Sequence, residues 1–302
     1  VEGYAGANWS INVAKQAINA KLNDGLKGDF NGIKAVTREE ACLYAFNTLK
    51  ATMVEYDTTI TIGGVTVAGA RADVENTART ETIKDDNKMQ FAEKYFTKLS
   101  VSPANDVFGR PANKWVNNKD EIGTYVDYTQ MVAEYTTKVS GKELYDVIGS
   151  TAFKDYDFSS YVDGEHSTLH TEISKNNKGD VSYTGNGALT QVFVNNDTKN
   201  GDVTVTVINT YLAQANDDYN AKKDSVSFNV FAVDTNAKAS GEDFDVEDIK
   251  EDDFVLVTYN KADDEIVDMY DVKTIADTEI TSFKAGKSGN LTVGGTKYEY
   301  NK

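Results

Sequence analysis

Cysteine, proline and histidine are nearly absent from this chain of 302 residues, which has one cysteine, two prolines and two histidines. The single cysteine, Cys42, excludes a disulfide within the chain and a cysteine-rich metal site. Because Cys42 lies in an apolar helical run, we expect a buried structural thiol and not a nucleophile.

Long apolar runs and an excess of positive charge are missing as well. No stretch approaches the roughly 18 apolar residues that span a bilayer, and no signal peptide is visible. Val1 is not an initiator methionine, so we expect a chain that was processed or cut from a longer one. Lys and Arg number 31 against 48 Asp and Glu, a net charge of -17. Because such a surface repels phosphate backbones, we expect no nucleic-acid partner.

The first 57 residues have the pattern of a helical unit. Trp9, Val13 and Ala17 recur at a spacing of four and predict one apolar helix face. Thr37, with Glu40 three residues later, predicts a capping box that opens a second helix.

The middle of the chain, residues 58–150, predicts a mixed α+β domain. Apolar residues alternate around Gly63 and Gly64, which is typical of a hairpin. Helices are predicted at 86–99 and at Gly141–Ile148, and the two prolines flank a predicted loop at 102–115.

Strand patterns dominate after residue 150. Strands are predicted at 189–194, 203–212, 226–233, 254–259, 266–272, 280–283, 291–293 and 298–300. Their spacing predicts a β-rich domain at 151–233 and a small β-barrel or sandwich at 234–302. The chain as a whole is therefore predicted to be multidomain, α+β and all-β, without alternating β/α units.

The segment 108–115 brings an arginine and aromatic residues together in one predicted loop. Arg110 and Trp115 are candidate contacts for a glycan or a protein partner. The alternative is a loop that Phe108 and Trp115 fix over the core.

Metal-binding patterns are weak. The segment 196–202 is similar to a calcium loop but lacks its final acidic ligand, and a hairpin turn explains it better. Asp217 and Asp218 are weak calcium candidates, and we expect no cofactor other than calcium. His166 and His170 lie four residues apart, but small neighbours favour a loop over a zinc-binding helix. No nucleophile motif or phosphate loop is present, so no catalytic residue is predicted and we do not expect an enzyme.

Two sets of motifs resemble a known family. The Trp9 helix, the glycine loop at 25–30 and the segment 36–41 (Val-Thr-Arg-Glu-Glu-Ala) resemble an S-layer homology domain of Gram-positive bacteria. Segments 207–213, 252–259 and 291–298 are similar to the C-terminal β modules of clostridial proteins that carry such domains.

The resemblance implies a non-catalytic structural protein at the bacterial cell surface, outside the cell. It implies a lattice or filament of identical chains, and attachment to cell-wall polysaccharide through the motif arginine, Arg38. Two other hypotheses stay open. One is a surface adhesin or glycan-binding module that uses Trp115 and the many tyrosines, and the other is a wall hydrolase.

Overall fold

β-Branched and aromatic residues lead to a mostly β structure: in the computed structural model 41% of residues lie in strands and 18% in helices. The structure describes residues 7–26, 28, 30–31, 34–56, 59–79, 81–84, 86–196, 201–233, 235–275, 278–286 and 289–299, with the backbone alone at 59–60, 62 and 65–68. Two compact units are present: unit 1 is Val1–Ala104 with Ala112–Tyr125, and unit 2 is Asn105–Pro111 with Val126–Lys302. The four-domain division made from the sequence stays a prediction.

The described residues form five helices, two short 3-10 helices and nineteen strands. The helices are α1 (Trp9–Asn19), α2 (Arg38–Leu49), α3 (Phe91–Tyr95), α4 (Gly141–Ile148) and α5 (Ser150–Asp155), with 3-10 helices at Tyr128–Gln130 and Leu169–Glu172. The strands of the first half are β1 (Val54–Tyr56), β2 (Thr59–Ile62), β3 (Val65–Ala68), β4 (Arg71–Asp73), β5 (Leu99–Asn105), β6 (Pro111–Asn117), β7 (Asp120–Val126) and β8 (Met131–Tyr135). The later strands are β9 (Asp157–Val162), β10 (Glu165–His166), β11 (Ala188–Asn195), β12 (Asp202–Ala215), β13 (Ser225–Val230), β14 (Thr235–Ser240), β15 (Phe254–Asn260), β16 (Glu265–Asp271), β17 (Ile280–Lys284), β18 (Asn290–Val293) and β19 (Thr296–Glu299). None of the described helices has the length and apolar character needed to cross a membrane.

Unit 1 begins with two helices whose local signals act as predicted. The Thr37 hydroxyl accepts a hydrogen bond from the Glu40 N–H at 3.1 Å, and the Thr37 N–H donates to Glu40 Oε2 at 2.9 Å, which confirms the capping box. A small core lies further along the chain and consists of Ile83, Ala92, Leu99 and Trp115. Cys42 is exposed, so the prediction of a buried thiol is wrong. Cys42 lies on the outer side of α2, and the residue pattern alone does not indicate which side of this helix packs inward.

Two further predictions in the middle segment are wrong. The helix predicted at 86–99 is reduced to α3. The Gln90 N–H donates to the Glu93 carboxylate at 3.1 Å and the helix begins only after Gln90, while Leu99 already belongs to β5. The predicted loop at 102–115 is instead the hairpin of β5 and β6. Its turn is fixed by Asp106, whose carboxylate accepts the N–H groups of Phe108 and Arg110.

Unit 2 is organised around β12, a strand of fourteen residues. Its first half pairs antiparallel with β11 and parallel with β9, within the sheet order β10-β9-β12-β11-β8. Its second half pairs with β15 and β13, which in turn pair with β16 and β14. One strand therefore contributes to two hydrophobic cores. The first contains Leu144, Val192, Val203, Val205 and Val207, and the second contains Phe228, Val230, Val246, Val257 and Tyr259.

The strands predicted after residue 188 are present, but of the predicted barrel or sandwich the barrel is not. Consecutive strands pair antiparallel in β11–β12, β15–β16 and β18–β19. Within the described residues no sheet closes on itself. The C-terminal strands β17, β18 and β19 form a separate three-stranded sheet, because β16 is not hydrogen-bonded to any of them.

Candidate functional site

Asp163, which follows β9, is the centre of a polar network in unit 2. Asp163 and Gly164 form the two-residue turn between β9 and β10, and both have positive φ, 51° and 86°. Asp and Gly tolerate this left-handed conformation better than most residues. The turn directs the Asp163 carboxylate inward, and its side chain is completely buried.

Residues from β12 and from the turn after β15 surround this carboxylate. Asp163 Oδ1 accepts the backbone N–H of Asn209 at 2.7 Å, and the Asn209 side-chain amide donates to Oδ2 at 3.0 Å. The Tyr211 hydroxyl donates to Oδ2 at 2.6 Å, and Lys261 Nζ lies 2.8 Å from the same oxygen. The backbone joins the same elements, since Asp163 N–H donates to Val207 and Lys261 N–H donates to Asp163 O. We call Asp163, Asn209, Tyr211 and Lys261 the Asp163 network.

The electrostatics of the network keep Tyr211 and Lys261 protonated. Burial, together with the hydrogen bond to Asp163, raises the pKa of Tyr211 to about 12. Burial alone would lower the pKa of Lys261, but its contacts with Asp163 and Tyr211 outweigh burial and raise the pKa. The Lys261 ammonium also lies 5.4 Å from the centre of the Tyr211 ring. Lys261 is therefore a cation at neutral pH and does not act as an amine nucleophile.

Close packing beside the network holds the next turn in place. A side chain at Gly164 would overlap the Asn260 amide and the carbonyl of Val107, so only glycine fits there. Asn260 is fully buried. Its side-chain oxygen accepts the N–H of Ala262 at 2.8 Å, and its side-chain NH₂ donates to the Asp263 carboxylate at 2.6 Å. The turns after β9 and β15 are thus fixed against each other at the point where β12 passes from one core to the other.

Arg110, a candidate contact for a glycan or a protein partner, is bound to other side chains of unit 2. It forms a salt bridge with Asp106 at 2.6 Å and donates to Gln191 at 3.3 Å. Gln191 is buried and donates in turn to Glu134 at 2.8 Å. The neighbouring Gly109 lies against the ring of Tyr161 with φ 78°, and a side chain at this position would overlap that ring. The guanidinium of Arg110 is therefore used to hold the β5–β6 turn on the sheet of unit 2.

Trp115 and Arg38 both lie in unit 1, but Trp115 is buried and Arg38 is exposed. Trp115 is 5% exposed and packs on Phe46 at a ring distance of 5.3 Å, so its ring offers no free face for stacking on a sugar. Arg38 is the exposed first residue of α2, next to Glu39 and Glu40. Among the described residues it forms no ion pair, because Glu40 pairs instead with Lys34 at 2.6 Å.

The candidate metal ligands do not converge. Asp217 and Asp218 are exposed in the turn after β12, and Asp218 accepts the N–H of Glu251 at 3.0 Å. His166 lies in β10 and packs on the ring of Tyr161. His170 lies in the 3-10 helix Leu169–Glu172 and packs beside Phe158. Across the described ranges, no three His, Cys, Asp or Glu residues are grouped to hold a metal ion. Most of the calcium-like segment, 197–200, lies outside the described residues.

An acidic groove is present near the second core of unit 2. Its volume is about 780 Å³, within the range of binding clefts. Its lining combines five aspartates with three aromatic rings: Asp245, Asp248, Asp252, Asp253, Asp271, Phe244, Phe254 and Tyr270. The acidic stretch after β14 therefore lies against the sheet and forms one wall of this groove.

Sequence reasoning missed the Asp163 network and the groove. The Asp-Gly pair directly after a strand was the available signal for the turn at 163–164. Nothing local indicates that Asn209, Tyr211 and Lys261 meet this turn. No protein-family model, no curated protein and no solved structure matches the chain.

Proposed function

We propose that this chain is a non-catalytic structural protein of a bacterial cell surface, which is held to the wall and self-associates through unit 2. The observation that carries the proposal is the continuity of β12 through both cores of unit 2, with the Asp163 network at the crossing point. Pulling on such a strand requires many ladder hydrogen bonds to break together. A unit whose two cores share one long strand suits a protein that bears tension in a surface layer, and this supports the proposal.

The distribution of charge also supports a role in assembly. Unit 2 contains 17 Lys and Arg against 33 Asp and Glu, a net charge of -16, whereas unit 1 has 14 against 15. Copies of unit 2 repel one another at low ionic strength, and cations reduce that repulsion. We therefore expect assembly to depend on divalent cations, with Asp217 and Asp218 as exposed candidate ligands.

The experiment for self-association is light scattering with negative-stain microscopy at rising protein concentration. Calcium, magnesium and chelator are compared at the same ionic strength, so that specific binding is separated from screening. Sheets or filaments that require calcium support the proposal. A chain that stays monomeric at high concentration in all three conditions, and that binds no wall material, contradicts it.

Wall attachment has its own test, because it depends on unit 1. Purified Gram-positive cell walls are incubated with the protein and sedimented. Arg38→Ala is expected to reduce co-sedimentation, since Arg38 is the exposed cation at the start of α2. Arg71→Ala is the matched control, because Arg71 is an exposed arginine of the same unit in the strand β4. Equal loss in both variants would contradict a specific site at Arg38.

A surface adhesin is the second candidate, and the acidic groove is the observation that favours it. Phe254 and Tyr270 are both exposed at its edge and offer rings on which a sugar can stack. A glycan array with wild type and Tyr270→Ala tests this function. Trp115→Ala is unsuitable as a probe, because removal of this core ring is expected to destabilise unit 1.

A further inference from the structure

The acidic groove of unit 2 runs along the edge of a strand. Four successive residues, 269–272, line the groove where β16 ends, together with Phe254 at the start of β15. Because alternate side chains of a strand point to opposite faces of the sheet, one groove contacts all four residues only along the edge of β16. Among the described strands β16 pairs with β15 alone, so its second edge faces the groove.

This edge of β16 offers backbone hydrogen-bonding groups. In an antiparallel strand, every second residue directs its N–H and C=O away from the neighbouring strand. Within the described parts of the chain, the backbone of residues 265–272 is hydrogen-bonded to no element other than β15. β14 approaches β16 at the opposite end, where the Thr235 hydroxyl donates to Asp264 at 3.3 Å. At the groove end Tyr270 is 52% exposed, so a further strand has access to the edge there.

The walls of the groove carry negative charge that neighbouring residues do not neutralise. Between residues 242 and 253 the chain has eight acidic residues and one lysine, and no basic residue is among the described residues that line the groove. Within the described ranges, Asp245, Asp248 and Asp271 form neither a hydrogen bond nor an ion pair. The groove therefore favours a cationic ligand.

The apolar side chains between these carboxylates suit a peptide better than a small cation. Ile249, Met269 and the rings of Phe254 and Tyr270 lie in the same groove. Lysine and arginine have apolar stems, and their charged ends pair with carboxylates or lie on ring faces. A metal ion would require several converging carboxylates, and in the part of the chain that the structure describes no three acidic residues are grouped in this way.

We propose that the groove binds an extended, lysine- or arginine-rich segment of a partner protein as an added strand on the edge of β16. The peptide backbone pairs with β16, and the basic side chains contact Asp248 and Asp271. Pairing with the same edge of a second copy is disfavoured, because it would bring two acidic grooves together. The inference goes beyond the structural role, since it requires neither self-association nor wall attachment.

The experiment is fluorescence anisotropy with a labelled peptide of alternating lysine and valine, blocked at both ends, at physiological ionic strength. Asp248→Asn combined with Asp271→Asn is expected to weaken binding on the order of tenfold, since two peptide cations lose their partners. Asp157→Asn combined with Asp202→Asn is the matched control. These two aspartates are exposed and in register on β9 and β12, and their replacement removes the same charge. We expect the control to change the dissociation constant by less than about twofold.

Spermine is the control for strand pairing, because it is a polycation without a peptide backbone. We expect spermine to bind at least about tenfold more weakly than the peptide. Circular dichroism midpoints in urea that match the wild type are expected for both double variants, since all four carboxylates are exposed.

Several outcomes overturn the proposal. Absence of saturable binding to the wild type below about 1 mM peptide would show that the aspartates only block strand pairing. Equal weakening in both double variants would show a general attraction to charge, and equal affinity for spermine would exclude strand addition. Loss of peptide binding as copies associate in sedimentation would assign the groove to a second copy. A glycan hit that Tyr270→Ala removes, without peptide binding, would assign it to a sugar.

Discussion

Replacement of Asp163 by asparagine is the most informative perturbation of unit 2. The φ of Asp163 is 51°, and asparagine tolerates this region about as well as aspartate, so the backbone of the turn is preserved. The substitution removes the charge that faces Lys261. It also places an amide NH₂ where the donors of Asn209 and Tyr211 converge. Stability is therefore lost through the network and not through strain in the turn.

The magnitude follows from the contacts. Breaking a fully buried ion pair costs about 3–5 kcal/mol, and each buried donor left unpaired costs roughly 1–3 kcal/mol. The Lys261 side chain is 27% exposed, so water compensates for part of its loss. We expect Asp163→Asn to reduce the free energy of unfolding of unit 2 by about 3 kcal/mol. Lys261→Met leaves the fully buried carboxylate with three neutral donors but no counter-charge, and is expected to cost about 3 kcal/mol as well.

The assay uses the location of the two tryptophans. Trp9 and Trp115 both lie in unit 1, so tryptophan fluorescence follows unit 1 and far-UV circular dichroism also follows the strands of unit 2. In urea we expect Asp163→Asn to lower the circular dichroism midpoint by roughly 1 M. Lys138→Met, which removes the exposed pair with Asp180, is the control and should change stability by less than about 0.5 kcal/mol. The reasoning is refuted if either Asp163→Asn or Lys261→Met has no more effect on stability than the control.

Three other predictions concern the same unit. Because the pKa of Tyr211 is raised to about 12, the contribution of Tyr211 to stability is complete below about pH 10 and is lost as pH rises from about 10 to 12. Tyr211→Phe should therefore reduce the loss of thermal stability over this pH range in thermal melts. An unchanged dependence of the melting temperature on pH would contradict this role of Tyr211. Gly109→Ala should cost at least about 3 kcal/mol, since its side chain overlaps a ring, whereas Gly149→Ala, with similar φ and open space, should cost about 1–2 kcal/mol in the same urea series. Because Lys261 is held as a cation, no amide should form with Asp163, and the intact mass should equal that of the unmodified chain; a loss of one water would contradict this.

Much of the local structure could be predicted from residue patterns. The capping box at Thr37 and Glu40 and the helix at Gly141–Ile148 appear as expected, because caps and helix periodicity depend on residues a few positions apart. The hairpin of β15 and β16 follows from the turn residues between the strands. The helix at 86–99 was wrong because bridges of Lys88 and Gln90 to distant residues hold the first part extended.

The sequence by itself determined the acidic charge, the lack of disulfides and the positions of most strands after residue 150. Only the tertiary structure decided which side chains are buried, as for the exposed Cys42 and the buried Trp115. It also decided that Asp163 meets Asn209 and Lys261, which lie 46 and about 100 positions later in the chain. The physical reason is that burial and pairing depend on which elements pack together, and this is a property of the whole chain.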